Sequence, residues 1–205
     1  GCHQHHLRPA GHAVGPGVSE SAFDDYLAQW SGDRTERALA WRFLRPDERV
    51  CFGALAALEH EWLKVVREAR EPQVAAARLG WWREEMLRAS EGRARHPLTQ
   101  GVFAAPRANA VPVARWTAPV EAAMGLLMAP PPADFAAQCG VVAPFADAIA
   151  ELETRVWFGN GSTSSCTAKV TLLAHLVSNL RGLESMADRG RLPLPMNLLA
   201  RHGLT

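Results

Sequence analysis

An all-α bundle is the fold class this sequence predicts, from three features of the 205-residue chain. Apolar residues recur at spacings of three and four over most of its length, which is the period of one helical face. No segment alternates apolar and polar residues as a half-buried strand does. Proline or glycine punctuates the boundaries between the periodic segments, as in Pro46, Pro72, Gly92 and Pro130-Pro131-Pro132. With 48% apolar residues the chain can bury a sizeable core, and one domain is the natural expectation. A formal charge of +1 gives no reason to expect nucleic acid as a partner. No uninterrupted apolar run approaches the ~20 residues a bilayer span needs, and the N-terminus has no signal-peptide pattern. Four scattered cysteines without C-x-x-C spacing suit a reduced, cytoplasmic chain.

Residues 1–18 are rich in Gly, His and Pro and lack periodicity, and are read as a flexible leader or a remnant of cloning, with the domain occupying 19–205. Cys2, His3, His5 and His6 are types that ligate zinc, nickel or copper. A terminal cluster without supporting neighbours is expected to have no metal role. Ser19 or Ser21 can cap a first helix carrying Phe23, Tyr26, Leu27 and Trp30, with Asp24 and Asp25 in its first turn. Those two adjacent acids point about 100° apart and make no metal motif.

Pro46-Asp47-Glu48 opens the next helix, with proline at its first turn. From Arg49 to Arg70, Cys51, Ala54, Leu55, Leu58, Trp62, Val65 and Val66 form its apolar face. Glu61, Lys64 and Glu68 on the same helix have the spacing of an exposed, salt-bridged stripe. Pro72 interrupts, and a second helix from Gln73 to Ser90 carries Trp81 and Trp82, of which one can enter the core while its neighbour turns to the edge. His96 before Pro97 reads as a helix boundary. Ala104 to Pro119 is expected to be a connector, followed by a short helix from Val120 to Met128 that the triple proline ends. Asp134 caps a helix through Phe135, Val141, Phe145, Ile149, Leu152 and Trp157, kinked at Pro144. Gly159 to Ser165 is a helix–helix turn, since no strand precedes it and no Gly-Lys-Ser/Thr follows to make a phosphate loop. The last long helix carries His175 on its apolar face, where a satisfied core histidine is expected, and extends to Asp188.

Two blocks carry a family resemblance. The run from Leu172 to Thr205 is similar to the second aspartate-rich segment of squalene and phytoene synthases, N-x-x-R-D-x-x-x-D-x-x-R-G-R-x-x-x-P. Asn179, Arg181, Arg189, Gly190, Arg191 and Pro195 fall on that pattern, and Gly182 and Met186 stand at its two aspartates. The run from Ala77 to Gln100, with Trp81-Trp82-Arg83-Glu84-Glu85 and then His96-Pro97-Leu98, resembles the family's W-W-R-[DE]-E and H-P-[VL]. Laid on the family's first aspartate-rich helix, the preceding segment places Leu63, Lys64 and Arg67 at the aspartates. Ala57 to Trp62 loosely follows the A-F-x-x-E-[LI] of the family's non-catalytic branch, which resembles the complex I assembly factor related to phytoene synthase.

The resemblance implies a bundle of the isoprenoid (terpenoid) synthase type, C-terminally shortened relative to the family. In such enzymes Mg²⁺, held by carboxylates on two facing helices, neutralises the pyrophosphate leaving an allylic diphosphate. Magnesium requires hard oxygen ligands, which none of the residues at the matched positions supplies. The expectation is therefore a pseudoenzyme acting in binding or assembly, with no cofactor and no catalytic or metal-binding residue. Asn179, Arg181, Arg189 and Arg191 are the expected substrate-binding residues, because guanidinium groups present paired donors to phosphate oxygens. The expected partners are an isoprenoid or diphosphate ligand, and a protein or second copy covering apolar surface, with at most peripheral membrane contact. The competing expectation is an active prenyltransferase or diphosphate lyase, whose Mg²⁺ site is shifted onto Glu59, Glu61 and Glu184.

Overall fold

The computed structural model describes residues 20–32, 35–159 and 165–204. These contain no strand and eleven helices: α1 (Glu20–Ser31), α2 (Thr35–Arg42), α3 (Pro46–Glu68), α4 (Pro72–Ser90), α5 (Pro97–Phe103), α6 (Pro106–Asn109), α7 (Val113–Met128), α8 (Phe135–Phe158), α9 (Ser165–Arg181), α10 (Leu183–Ala187) and α11 (Met196–Arg201). The expected leader over residues 1–18, the cap at Ser19 and the turn residues 160–164 lie outside the described residues, as does the side chain of Ser21.

Helix α3 forms the centre. Its residues Ala54, Leu55, Leu58, Trp62 and Val65 are buried at the three-and-four spacing seen in the sequence, each large one stabilising by about 1.5–3 kcal/mol. Helices α1, α5, α7 and α4 pack around it, while α4 lies on α7, α7 on α8 and α8 on α9. Gly53 admits α2 to this arrangement. A Cβ there would fall 2.2 Å from the Trp41 ring and 2.8 Å from Leu27, so only glycine leaves room for the tilted Trp30–Trp41 pair.

Several boundaries match the sequence, and others correct it. Proline opens α3, α4 and α5 within the first turn, and Asp134 Oδ1 caps α8 by accepting from Ala137 N–H at 2.8 Å. The connector expected over Ala104 to Pro119 instead contains α6 and the first turns of α7, with Pro119 inside the helix. Proline removes one backbone hydrogen bond there, but Trp116, Val120, Ala123 and Leu127 are buried on the same face and the Trp116 indole donates to Ala108 carbonyl. Burial outweighs the local cost. The single helix expected to reach Asp188 breaks at Gly182, where α9 ends and α10 begins.

Helix α8, 24 residues with a mean hydropathy of 1.3 over its most apolar window, is long and apolar enough to cross a membrane by length and composition alone. That amends the reading of no such segment. Its packing against both α7 and α9 gives its apolar residues a place inside the bundle.

Candidate functional site

Two recesses adjoin one another between α3 and α9. The first, about 400 Å³, is bounded by Leu63, Val66 and Arg67 of α3, by Pro130-Pro131-Pro132, by Gln138 and Val142 of α8, by His175 and Asn179 of α9, and by Met186, Arg189 and Arg191. The second, about 450 Å³, is a groove between Glu59 and His60 on α3 and Val170, Leu173, Ala174, Val177 and Arg181 on α9. Leu63, Arg67 and His175 border both, so these three side chains form the partition. The Arg67 guanidinium donates to Ser178 Oγ at 2.7 Å, closing that partition from one helix to the other.

Helix α9 packs along α8, and it meets α3 through the Arg67–Ser178 bond with the recesses on either side. The expected substrate-binding residues are divided by this geometry. Asn179, Arg189 and Arg191 border the first recess and Arg181 the second. Arg191 also donates to the Val66 carbonyl in the last turn of α3, where a helix presents unpaired acceptors. Arg189 folds back on α10, donating to the carbonyl and hydroxyl of Ser185. Positive φ at Gly190 turns the chain between these two arginines.

Of the three residues matched to the first aspartates, Leu63 and Arg67 are one helical turn apart and face the recess. Lys64, one position on, points the other way and donates to Gln29 Oε1 of α1 at 3.0 Å. Only one of the two cations expected at the cavity therefore stands there. Glu61 is not part of an exposed stripe: it is buried, its Oε1 accepts no hydrogen bond, and the Lys64 ammonium lies 3.7 Å away. Glu59 borders the groove, Glu184 is exposed on α10 and borders neither recess, and so the three acids of the competing metal site are not gathered. Among the described residues no group of three or more His, Cys, Asp or Glu side chains is placed to hold a metal ion.

His175 is buried as expected but not satisfied. Its Nδ1 has no hydrogen-bond partner, and burial, aided by the nearby Arg67 charge, pushes its pKa down to about 4. The ring is a neutral polar group in the partition at ordinary pH. Sequence reading also passed over Gln138, whose amide donates to the Pro193 carbonyl at 2.6 Å and ties α8 to the segment after α10. The available signal was a lone amide on the buried face of an otherwise apolar helix.

The tryptophan block has a structural explanation. Glu85 is fully buried, and its Oε1 accepts from Arg95 N–H at 2.7 Å, His96 N–H at 2.9 Å and Thr99 hydroxyl at 2.7 Å. Arg88 binds its other oxygen at 3.1 Å. Burial, the largest single effect, acts to raise its pKa, but these hydrogen bonds together outweigh it and hold the carboxyl below its ordinary range. His96 sits at the N-cap of α5, where Nδ1 accepts from Leu98 N–H, while Nε2 lies 3.0 Å from the Tyr26 hydroxyl. Trp82 is buried and Trp81 exposed, as their adjacency required. The pattern Trp-Trp-Arg-x-Glu…His-Pro thus fastens the start of α5 to α4 and lies outside both recesses.

The family model for squalene/phytoene synthase matches residues 32–205. No curated protein matches the chain.

Proposed function

This chain belongs to the squalene/phytoene synthase family, and on that premise we propose that it is a binding or assembly protein of the non-catalytic kind. In this reading it holds the diphosphate end of an isoprenoid by direct contacts and does not ionise it. The observation that carries this is the composition of the first recess. Across it, Leu63 and Arg67 face Asn179, Met186, Arg189 and Arg191, and no carboxylate is among the described residues that border it. Magnesium takes near-octahedral oxygen ligands and is repelled by a guanidinium sharing a water-poor space. These residues do not fit that ion. They do fit an anion, since arginine offers planar paired donors and an amide offers one more.

Isothermal titration with farnesyl diphosphate, in EDTA and then in excess Mg²⁺, tests the reading beside an assay for released pyrophosphate. The expected result is binding that survives EDTA, weakens about tenfold in Arg67→Ala through loss of a charge-assisted hydrogen bond, and yields no pyrophosphate. Mg²⁺-dependent pyrophosphate release by the native protein would replace this proposal with the prenyltransferase reading.

A further inference from the structure

Three uncharged polar side chains line the first recess while being almost wholly buried. Gln138 of α8 and His175 and Asn179 of α9 are 9%, 6% and 7% exposed, whereas Arg67, Arg189 and Arg191 are partly exposed. The neutral polar groups of the recess are thus its most buried ones. The Gln138 amide is held in one orientation: the Pro193 carbonyl can only accept, so the amide nitrogen donates to it at 2.6 Å and Oε1 is left over. No described residue donates to that oxygen. The Asn179 amide likewise makes no hydrogen bond to another described residue, and His175, one helical turn before it, is unpartnered at Nδ1. With a pKa near 4 the His175 ring adds no charge. Buried polar groups ordinarily have partners, and a set of them left open along one cavity points to a ligand that supplies them.

We infer that the first recess takes a phosphate ester bearing a free hydroxyl group, with the phosphate at the arginines and the hydroxyl at the Gln138 and Asn179 amides. The chemistry selects the hydroxyl by elimination. An acceptor such as Gln138 Oε1 requires a donor, which neither a carbonyl nor a hydrocarbon tail supplies. An ammonium group would supply one, but guanidinium groups border the same space and no carboxylate among the described residues offsets them. A hydroxyl donates to Oε1 and accepts from the Asn179 amide nitrogen, so it reproduces the hydrogen bonds that water makes at such groups. Hydrocarbon displacing that water cannot. At about 400 Å³ the recess lies at the small end of ligand pockets, which suits a short polyol phosphate or the head of an amphiphile. The inference rests on the proposed reading for its anion, and adds the group by which one phosphate ester is told from another.

Isothermal titration of the full chain with glycerol phosphate and with propyl phosphate is the test, because the two esters share their phosphate and carbon chain and differ in hydroxyl groups. Glycerol phosphate is expected to bind about tenfold more tightly. In Gln138→Met that ratio should fall to about twofold, and a ratio read within one protein cancels any general loosening from the lost bond to Pro193. In Arg67→Ala both esters should weaken alike with the ratio kept. A short-chain lysophosphatidate separates the two sources of this chemistry: tighter binding than the free ester assigns an amphiphile and weaker binding a free polyol phosphate, and either result keeps the hydroxyl subsite. Equal binding of the two esters by the native protein, or a ratio unmoved by Gln138→Met, overturns the inference and leaves the anion reading in place. Absence of glycerol phosphate binding at millimolar concentration overturns it as well, and titration with farnesyl diphosphate then decides whether the ligand reading survives on its own.

Discussion

Removing the carboxylate of Glu85 should cost more stability than any other single polar substitution in the tryptophan block, and the structure sets the scale. In Glu85→Ala, Arg95 N–H, His96 N–H and the Thr99 hydroxyl lose the shared acceptor Oε1, and the Arg88 guanidinium loses its partner at Oε2. Each buried donor left unsatisfied costs about 1–3 kcal/mol, reduced where water enters the vacated space. A total of about 3–5 kcal/mol follows, in line with breaking a buried charged network by removal of one member. Glu85→Gln keeps an oxygen that can accept the three bonds now made by Oε1 and loses chiefly the charge facing Arg88, so about 1–3 kcal/mol is expected. Urea denaturation followed by tryptophan fluorescence measures both, since Trp81 and Trp82 pack against His96 at the site. The pH dependence is a second readout. The folded-state pKa is lowered, so the contribution is present above the ordinary glutamate value of about 4.3 and is lost as pH falls from there through the folded value. A loss below about 1 kcal/mol in Glu85→Ala, or an acid limb of the stability profile identical in Glu85→Gln and native protein, would refute the reasoning.

Two other ionisable groups act on opposite limbs of that profile. His175 has its pKa depressed to about 4, so its contribution is complete above the ordinary value of about 6.5 and declines as pH falls from there toward 4; His175→Gln should flatten this limb in thermal melts. Glu153 is raised to about 8 by burial first and by Glu59 second, so stability declines as pH rises from about 4.3 through 8, and Glu153→Gln should raise the melting temperature at pH 8 but not at pH 5. Gly182→Asp with Met186→Asp should give no Mg²⁺-dependent release of pyrophosphate, because Arg67 on the facing helix would pair with the new carboxylates; appearance of product in a coupled phosphate assay would contradict this. Gly53→Ala should cost about 1–3 kcal/mol in urea unfolding, as its methyl group displaces the Trp41 ring, and an unchanged midpoint would show that α2 is free to shift.

The sequence by itself determined the class of fold and most of its helices. The reason is local: the spacing of Cys51, Leu55, Leu58 and Trp62 requires one buried helical face wherever that face finds a partner, and Pro46, Pro72 and Pro97 act on their own backbone. The two blocks that led to the family were legible for a different reason, as short strings of residues with fixed offsets. What those residues touch depends on elements far apart in the chain, and there the tertiary structure decided. Trp116 and its neighbours carry α7 through Pro119, which local propensity alone would have made a boundary. Lys64 and Arg67 read alike as cations of one charge reversal, yet the acceptors offered by neighbouring helices take Lys64 to Gln29 of α1 and Arg67 to Ser178 of α9. Arg181 and Arg191 read alike as phosphate ligands, and the break at Gly182 together with the turn at Gly190 puts them beside different recesses. A motif records which side chains are present and how far apart they lie along the chain. Which of them share a cavity is fixed by the packing of α9 on α8 and by the bridge from α3, whose two residues are 111 positions apart.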